Sequence, residues 1–197
     1  MIEIDKILQG IPDKLEHKST TTHKFKSDIA STFENEEWKN FNVVEIGTSQ
    51  GWSTKFLSNL FNHVYTLELD EWNIEQAKKH CDGIENITFI RGDAYRENWT
   101  KLFPEHASIV FIDCVHTYEG VQSDISNALN ITESGSYLIF DDYGNPRCPG
   151  VKQAVNEAIE YGWISLVKYI GAKTGEKIVS TSDWVLEDFE GVICQIV

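Results

Sequence analysis

Short apolar segments alternate with helix-like segments from residue 42 onward, and this alternation limits the possible folds more than any other feature of the chain. The apolar segments are rich in β-branched and aromatic residues and have the length of strands. They lie at Asn42–Ile46, Val64–Leu69, Ile87–Arg91, Ser108–Ile112, Ser136–Phe140, Ile164–Ile170 and Val192–Val197. The pattern predicts an α/β domain with a largely parallel sheet and helices on both of its faces.

The segments between the strands have the apolar spacing of helices. They lie at Ser53–Phe61, Trp72–His80, Tyr118–Leu129 and Val151–Tyr161. A further segment, Gly171–Glu190, is polar and fits neither a helix nor a strand pattern. The alternation therefore accounts for most of the chain between residue 42 and its end.

The residues before the alternation form a predicted N-terminal helical extension (residues 1–40) to the main domain (residues 41–197). Within the extension, an apolar residue recurs at every fourth position from Phe25 to Phe33, which predicts a helix over Lys24–Glu37. We expect the extension to lie on the substrate side of the main domain.

The charge of the chain excludes some partners. The formal net charge is −14 and the isoelectric point is about 4.8, which disfavours binding to nucleic acids or to anionic membranes. The cysteines form no Cys-x-x-Cys pair, so no zinc or thioredoxin motif is indicated. No apolar run approaches the ~20 residues that span a bilayer, and charges near the N-terminus argue against a signal peptide. We therefore expect a soluble, cytoplasmic protein.

The junction between the first strand and the following helix has the features of a ligand-binding loop. It reads VVEIGTSQGWS over residues 43–53. Gly47 and Gly51 permit positive φ angles and close backbone approach, and the start of the helix offers free N–H groups. The loop lacks the lysine of a phosphate-binding P-loop, and its glycine spacing differs from the dinucleotide pattern G-x-G-x-x-G. Ligands in such sheets bind at the carboxyl ends of the strands.

Acidic residues follow the next two strands as well. Glu68 and Asp70 end the second strand, where a carboxylate can accept hydrogen bonds from both hydroxyls of a ribose. Asp93 follows the third strand in the sequence RGDA and can accept a hydrogen bond or cap a helix.

Carboxylates also follow the fourth and fifth strands, at Asp113 and at the pair Asp141 and Asp142. Neighbouring parallel strands would bring these groups together, and clustered carboxylates are costly without a cation. Oxygen ligands suit Mg²⁺, Mn²⁺ or Ca²⁺ rather than zinc. Nearby His116 can act as a general base, because the reference pKa of histidine is about 6.5.

The order and spacing of these motifs resemble the class I S-adenosylmethionine (SAM)-dependent methyltransferases, over roughly residues 41 to 160. In that family, the acidic residue before the glycines orients the methionine end of SAM, the next strand binds the ribose, and the Asp of G-D-A lies near the adenine amine. The resemblance implies a SAM site formed by Glu45, Gly47, Thr48, Ser49, Gly51, Ser53, Glu68, Asp93, Ala94 and Asp113.

The segments after strands four and five resemble the metal-dependent O-methyltransferases. The sequence DCVHTYE, from Asp113, is similar to macrolide-sugar and cephalosporin-type enzymes, and the catechol O-methyltransferases share the layout. The resemblance implies Asp113, Asp141 and Asp142 as metal ligands, with Asp142 standing where the catechol enzymes have Asn. His116 stands where those enzymes have a lysine base, and it becomes the candidate catalytic residue together with Asp113.

The resemblance also implies a fold and a reaction. The fold is a Rossmann-like, doubly wound, seven-stranded sheet of order 3-2-1-4-5-7-6, with strand seven antiparallel and three αβα layers. The reaction is methyl transfer from SAM to a hydroxyl of a small molecule or sugar, with Mg²⁺ or a similar metal holding the acceptor. Homodimerisation is implied only by the family.

Other functions remain open at this point. A metal-independent SAM enzyme acting on an amine or hydroxyl would use the carboxylates directly, and a non-catalytic SAM-binding protein would act through protein contacts. The glycine spacing opposes a nicotinamide-dependent oxidoreductase. The acceptor itself is not identified, but its pocket is expected from residues 1–40, 143–150 and 171–190.

Overall fold

A seven-stranded sheet lies at the centre of the chain in the computed structural model, which describes residues 3–103 and 107–197. Its strands are β1 (Asn42–Ile46), β2 (His63–Glu68), β3 (Ile87–Arg91), β4 (Ile109–Ile112), β5 (Tyr137–Phe140), β6 (Ile164–Ile170) and β7 (Gly191–Ile196). Their order is β3-β2-β1-β4-β5-β7-β6. β1 to β5 pair in parallel, whereas β7 is antiparallel to both β5 and β6. The predicted topology is confirmed, and each strand agrees with its predicted bounds to within one residue.

Helices cover both faces of this sheet. They are α1 (Ile4–Leu8), α2 (His23–Thr32), α3 (Trp52–Leu60), α4 (Glu71–His80), α5 (Trp99–Leu102), α6 (Tyr118–Leu129) and α7 (Pro149–Glu160). Successive strand residues face opposite sides of a sheet. In β4, Val110 and Ile112 pack with residues of α5, α6 and α7, whereas Ile109 and Phe111 pack with α1, α2 and α3. The result is the predicted αβα arrangement of three layers.

The predicted helix over Lys24–Glu37 is wrong at its C-terminal end. α2 ends at Thr32, and a separate 3-10 helix spans Glu36–Asn40. The side chain of Asn35 accepts a hydrogen bond from the backbone N–H of Glu37 at 3.3 Å. Such a local contact from an Asn side chain competes with continuation of a helix and starts a new turn instead.

The N-terminal segment packs into the same core as the sheet. Phe25, Ile29 and Phe33 of α2 are each about 1% exposed. The N-cap Thr22 donates hydrogen bonds from its hydroxyl (2.5 Å) and its backbone N–H (2.9 Å) to the buried carboxylate of Glu190. This anchor holds the loop before α2 beside the carboxyl ends of the central strands, where Lys14 contacts Asp141.

The order of the sheet reverses between β1 and β4, because the chain leaves these two strands toward opposite edges. Ligands of open α/β sheets bind in the crevice at this switch point.

The polar segment at residues 171–190 contains no helix or strand and buries Ile178 and Leu186 in a small cluster of its own. None of the described helices has the length and apolar character that a membrane crossing requires.

Candidate active site

A cavity of about 500 Å³ opens at the carboxyl ends of β1, β4 and β5. Most of the residues that the sequence predicted as functional line its wall. These are Gly47, Thr48, Ser49, Ser53, Glu68, Asp113, His116, Asp141 and Asp142. The predicted binding loop, the acidic end of β2 and the carboxylates after β4 and β5 therefore share one cavity.

Position 47 requires a glycine because the backbone at the end of β4 comes very close to it. Its φ angle is +97°, and a Cβ atom built on it would lie 1.9 Å from the backbone oxygen of Asp113. Any larger residue would push the loop after β1 away from the end of β4.

Gly51 has a different role from the one that the resemblance implied. Its φ angle is +81°, and a Cβ atom there would lie 2.7 Å from the Cβ of Ala77 in α4. Gly51 is buried and lies outside the lining of the cavity. The second glycine thus allows the loop to pack on α4, so any effect of Gly51 on a ligand is indirect.

Glu45 also lies beneath the cavity and not in its wall. Its side chain is fully buried, and its Oε2 accepts hydrogen bonds from the hydroxyls of Thr54 (2.5 Å) and Thr66 (2.6 Å). Thr66 in turn bonds to the hydroxyl of Thr48, which lines the cavity. Glu45 is therefore connected to the binding loop through Thr66 and Thr48. Its Oε1 has no hydrogen-bond partner among the described residues.

Burial raises the pKa of Glu45 from about 4.5 to about 8, although the hydrogen bonds from Thr54 and Thr66 oppose the rise. A carboxyl with a raised pKa stabilises the fold fully below its unfolded pKa, and the contribution is lost as the pH rises through the folded pKa. We therefore predict that the free energy of unfolding of the wild type falls between about pH 5 and pH 8 relative to that of Glu45→Gln, whose side chain stays neutral. The difference is on the order of a few kcal/mol.

Denaturant unfolding at several pH values measures this difference. Glu160→Gln, which removes an exposed carboxylate, is the matched control and should follow the wild-type profile. Parallel pH profiles for Glu45→Gln and the wild type would show instead that Glu45 is ionised in the folded protein.

Glu68 connects the main cavity to a smaller cavity of about 70 Å³, because Gly47, Glu68 and Cys114 line both. Its Oε2 accepts the backbone N–H of Ser49 at 2.7 Å, and its Oε1 accepts that of Asp70 at 2.9 Å. Asp70 itself caps α4 by accepting the N–H of Asn73 at 2.9 Å. Of the two carboxylates after β2, Glu68 is the one that faces the cavities.

Asp93 and Ala94, in the sequence motif after β3, line the smaller cavity. One oxygen of Asp93 accepts the backbone N–H of Tyr95 at 3.0 Å, and the other lies 3.3 Å from Nε of Arg96. The loop geometry therefore fixes the orientation of this carboxylate at the cavity wall.

The three carboxylates after β4 and β5 converge. Asp113, Asp141 and Asp142 each offer an oxygen, and these atoms all lie within 4.8 Å of one another. Asp142 has a φ angle of +58°, in the left-handed region that Asn and Asp tolerate better than most residues. That backbone turn directs both Asp141 and Asp142 into one cluster, which hereafter is the acidic cluster.

His116 touches two members of the acidic cluster through one atom. Its Nε2 lies 3.3 Å from Oδ1 of Asp113 and 3.2 Å from Oδ2 of Asp142. Burial alone would lower the pKa of His116, but the hydrogen bond to Asp113 and the charges of all three carboxylates raise it to about 9. In this arrangement the imidazole is protonated at neutral pH and donates a hydrogen bond to the cluster.

Lys14 is the functional candidate that the sequence did not reveal. Its Nζ lies 3.1 Å from Oδ2 of Asp141 and 3.5 Å from Oδ1 of Asp142. Burial opposes the charge of Lys14, but the nearby carboxylates outweigh it and raise the pKa further above its usual value. Lys14 precedes Asp141 by 127 residues and belongs to no motif, so only the fold brings the two together.

The donor set of the acidic cluster fits a hard divalent cation. All three groups are carboxylates, and oxygen ligands are those that Mg²⁺, Mn²⁺ and Ca²⁺ prefer. Oδ1 of Asp141 is buried and has no hydrogen-bond partner among the described residues. Burial raises the pKa of Asp141, whereas Lys14 and His116 outweigh burial and lower that of Asp142. The orphaned oxygen shows that Lys14 and His116 do not use all of the cluster's acceptors.

Comparison with known proteins gives a family and a fold. The methyltransferase domain family matches residues 44–143 of the chain. The O-methyltransferase of Bacillus cereus, solved in complex with S-adenosylhomocysteine (SAH), has a TM-score of 0.67 at 18% identity. The match covers 98% of this chain and 90% of that chain, and at such low identity it shows the fold alone.

Several curated relatives match parts of the chain. The protein-L-isoaspartate O-methyltransferase of Proteus mirabilis is 38% identical over 71 residues, which are 34% of this chain and 33% of that protein. An uncharacterized protein of Acanthamoeba polyphaga mimivirus is 28% identical over 144 residues, or 67% of this chain and 64% of that protein. The match thus spans only about one third of the length of the isoaspartate enzyme.

Proposed function

This chain belongs to the methyltransferase domain family of SAM-dependent enzymes, and we propose that it methylates a hydroxyl oxygen of a small molecule or sugar. One observation carries the proposal: the acidic cluster and the glycine loop open into the same cavity. The acceptor and the methyl donor can therefore be held side by side, and such alignment supplies much of the rate of a transfer between two molecules.

The donor would bind along the loop after β1 and the ends of β2 and β3. We propose that Glu68 accepts hydrogen bonds from the ribose hydroxyls and that Asp93 accepts one from the adenine amine. Support comes from the neighbouring cavities, because Glu68 lines both of them and Asp93 lines the smaller one. Thr48, Ser49 and Ser53 line the main cavity next to Glu68, where the methionine end would lie.

The acidic cluster would hold a divalent metal ion, Mg²⁺ or a similar cation, through Asp113, Asp141 and Asp142. When bound, such an ion supplies a Lewis acid that lowers the pKa of an acceptor hydroxyl. The acceptor oxygen then forms a bond to the methyl carbon while the carbon–sulfur bond breaks, which leaves SAH. The proposal for the metal is supported by the oxygen donor set and the orphaned Oδ1 of Asp141.

We propose His116 as the group that takes the acceptor's proton. It lines the cavity beside Asp113 and reaches the cluster through Nε2. Its pKa of about 9 results from the carboxylates that face it, so it must lose a proton before it can accept one. A cation held by the acidic cluster would offset the charges that hold this proton and would so favour the neutral imidazole.

The acceptor side of the cavity is built from three segments. Lys18 comes from the loop before α2, Arg147 from the loop before α7, and Val179 and Trp184 from residues 171–190. The guanidinium of Arg147 lies 5.7 Å from the ring of Trp184. An aromatic wall with nearby cations suits a polar small molecule with a planar or sugar-like face.

A metal-independent transfer is the second candidate. The contact of Lys14 with Asp141 and Asp142 favours it, because an ammonium group already offsets part of the cluster's charge. In that case the carboxylates would orient an amine or hydroxyl acceptor directly.

Calorimetric titration with SAH tests the proposed function. We predict binding of SAH with or without Mg²⁺, and binding of catechol or a methyl glycoside to the SAH complex only when Mg²⁺ is present. Acceptor binding that persists in the presence of a chelator would support the metal-independent candidate. The absence of SAH binding under all conditions would contradict both.

A further inference from the structure

The ammonium of Lys14 lies against the same two carboxylates that would ligate a metal. We propose that Lys14 is an internal competitor of the divalent cation, so that it sets the affinity of the acidic cluster for metal. This inference rests on the proposed metal site, but it concerns a residue outside the ligand set and makes a separate prediction.

Geometry makes the two cations alternatives. A divalent ion lies about 2.0–2.6 Å from its oxygen ligands. An ion that binds Oδ2 of Asp141 and Oδ1 of Asp142 would enter the space next to these oxygens, where Nζ of Lys14 now lies at 3.1 and 3.5 Å. The positive charges would also repel one another strongly at such separations. Metal binding through these two oxygens therefore requires Nζ to move, and an ion bound to the unpaired Oδ1 of Asp141 would still meet the repulsion of the nearby ammonium group.

Charge explains why Lys14 occupies this position without metal. The side chains of Lys14, Asp141 and Asp142 are 10%, 2% and 10% exposed, so their charges are poorly solvated. A buried carboxylate without a compensating charge is strongly unfavourable. Lys14 and His116 supply two positive charges against the three carboxylates of the acidic cluster. A metal ion must replace the stabilisation that Lys14 gives, which lowers its apparent affinity.

The local structure lets the side chain move while the backbone stays in place. Asp13 fixes the turn that carries Lys14, because its oxygens accept the N–H groups of Leu15 (2.8 Å) and His23 (2.7 Å). The side chain of Lys14 is a flexible stem of four carbons and borders the cavity of about 500 Å³. Nζ can therefore swing into the cavity without unfolding the turn.

Titration of the SAH-saturated protein with Mn²⁺ tests the inference by binding rather than by activity. Lys14→Met keeps the length of the side chain and removes its charge, and we predict that it binds Mn²⁺ about 10- to 100-fold more tightly than the wild type. Lys14→Arg keeps the charge and should bind nearly as weakly as the wild type. Lys18→Met is the matched control, because Lys18 lines the same cavity but forms no ion pair with the described residues.

Two outcomes separate this inference from the proposed metal site. Equal Mn²⁺ affinity of Lys14→Met and the wild type would overturn the role of Lys14 and leave the metal site intact. Failure of every variant to bind Mn²⁺ would overturn the metal site itself. Tighter binding by Lys18→Met to the same extent would also contradict the inference, because it would show a general effect of charge.

A second measurement needs no variant. Lys14 should react faster with an amine acylating reagent when Mn²⁺ is bound, because Nζ then leaves the carboxylates. Peptide mass spectrometry gives the rate at Lys14 and, as an internal reference, at Lys18. An unchanged ratio of the two rates at saturating Mn²⁺ would overturn the inference.

Discussion

Gly47→Ala is expected to lower the free energy of unfolding by about 3 kcal/mol or more and to abolish SAH binding. The new Cβ would lie 1.9 Å from the backbone oxygen of Asp113, so β4 and the loop after β1 would have to separate. The loop carries Thr48 and Ser49 into the wall of the cavity, and Asp113, directly after β4, lines the same cavity. Denaturant unfolding and calorimetry with SAH measure the two effects.

Gly135→Ala is the matched control for this substitution. Gly135 has a similar φ angle of +91°, but no atom lies within 4 Å of the Cβ position. It should therefore lose only the cost of the left-handed conformation, about 1 kcal/mol, and should retain SAH binding. If both variants lost similar stability, the approach of β4 to Gly47 would not be the constraint that the structure indicates.

Asp141→Ala is expected to reduce methyl transfer by about a hundredfold or more, since it removes a ligand of the proposed metal site, and the Lewis acid that such an ion would supply is worth several kcal/mol. Asp141 is the most buried member of the acidic cluster, and its Oδ1 has no hydrogen-bond partner in the part of the chain that the structure describes. The variant should keep its affinity for SAH, because Asp141 does not line the smaller cavity, where the nucleoside is proposed to bind. Initial rates with a labelled methyl group, at saturating SAM, measure the loss.

Two further substitutions make this result specific. Asp142→Asn tolerates the left-handed φ of +58° and retains an oxygen ligand, so its loss of activity should be smaller. Asp82→Ala removes an exposed carboxylate that lines neither cavity and should leave the rate unchanged. Activity of Asp141→Ala close to the wild-type level would contradict a reaction at the acidic cluster.

The strands and the sheet order could be predicted because the signals were local or came from the family resemblance. β1 and β4 are short apolar segments, and they are buried on both faces as parallel strands require. The end of α2 was missed because one side chain, Asn35, decides it. α5 was missed because a helix of four residues shows no apolar repeat.

Some residues of the candidate site could be predicted from the sequence and others could not, because only some of them are positioned by the order of the strands. Asp113 and Asp141 could be placed together because they follow strands that the topology makes neighbours. Lys14 could not, because its contact depends on how the N-terminal segment packs against the sheet. The indirect position of Glu45 was also hidden, since the sequence does not show that its carboxyl group bonds to Thr54 and Thr66 and does not line the cavity.

A crystal structure with SAH and Mn²⁺ would show where both ligands bind, because anomalous scattering locates the metal directly. We expect SAH between Glu68 and Asp93, a Mn²⁺ peak among Asp113, Asp141 and Asp142, and Nζ of Lys14 displaced from both carboxylates. SAH bound elsewhere, or a Mn²⁺ peak away from the acidic cluster with Lys14 still in place, would contradict this expectation.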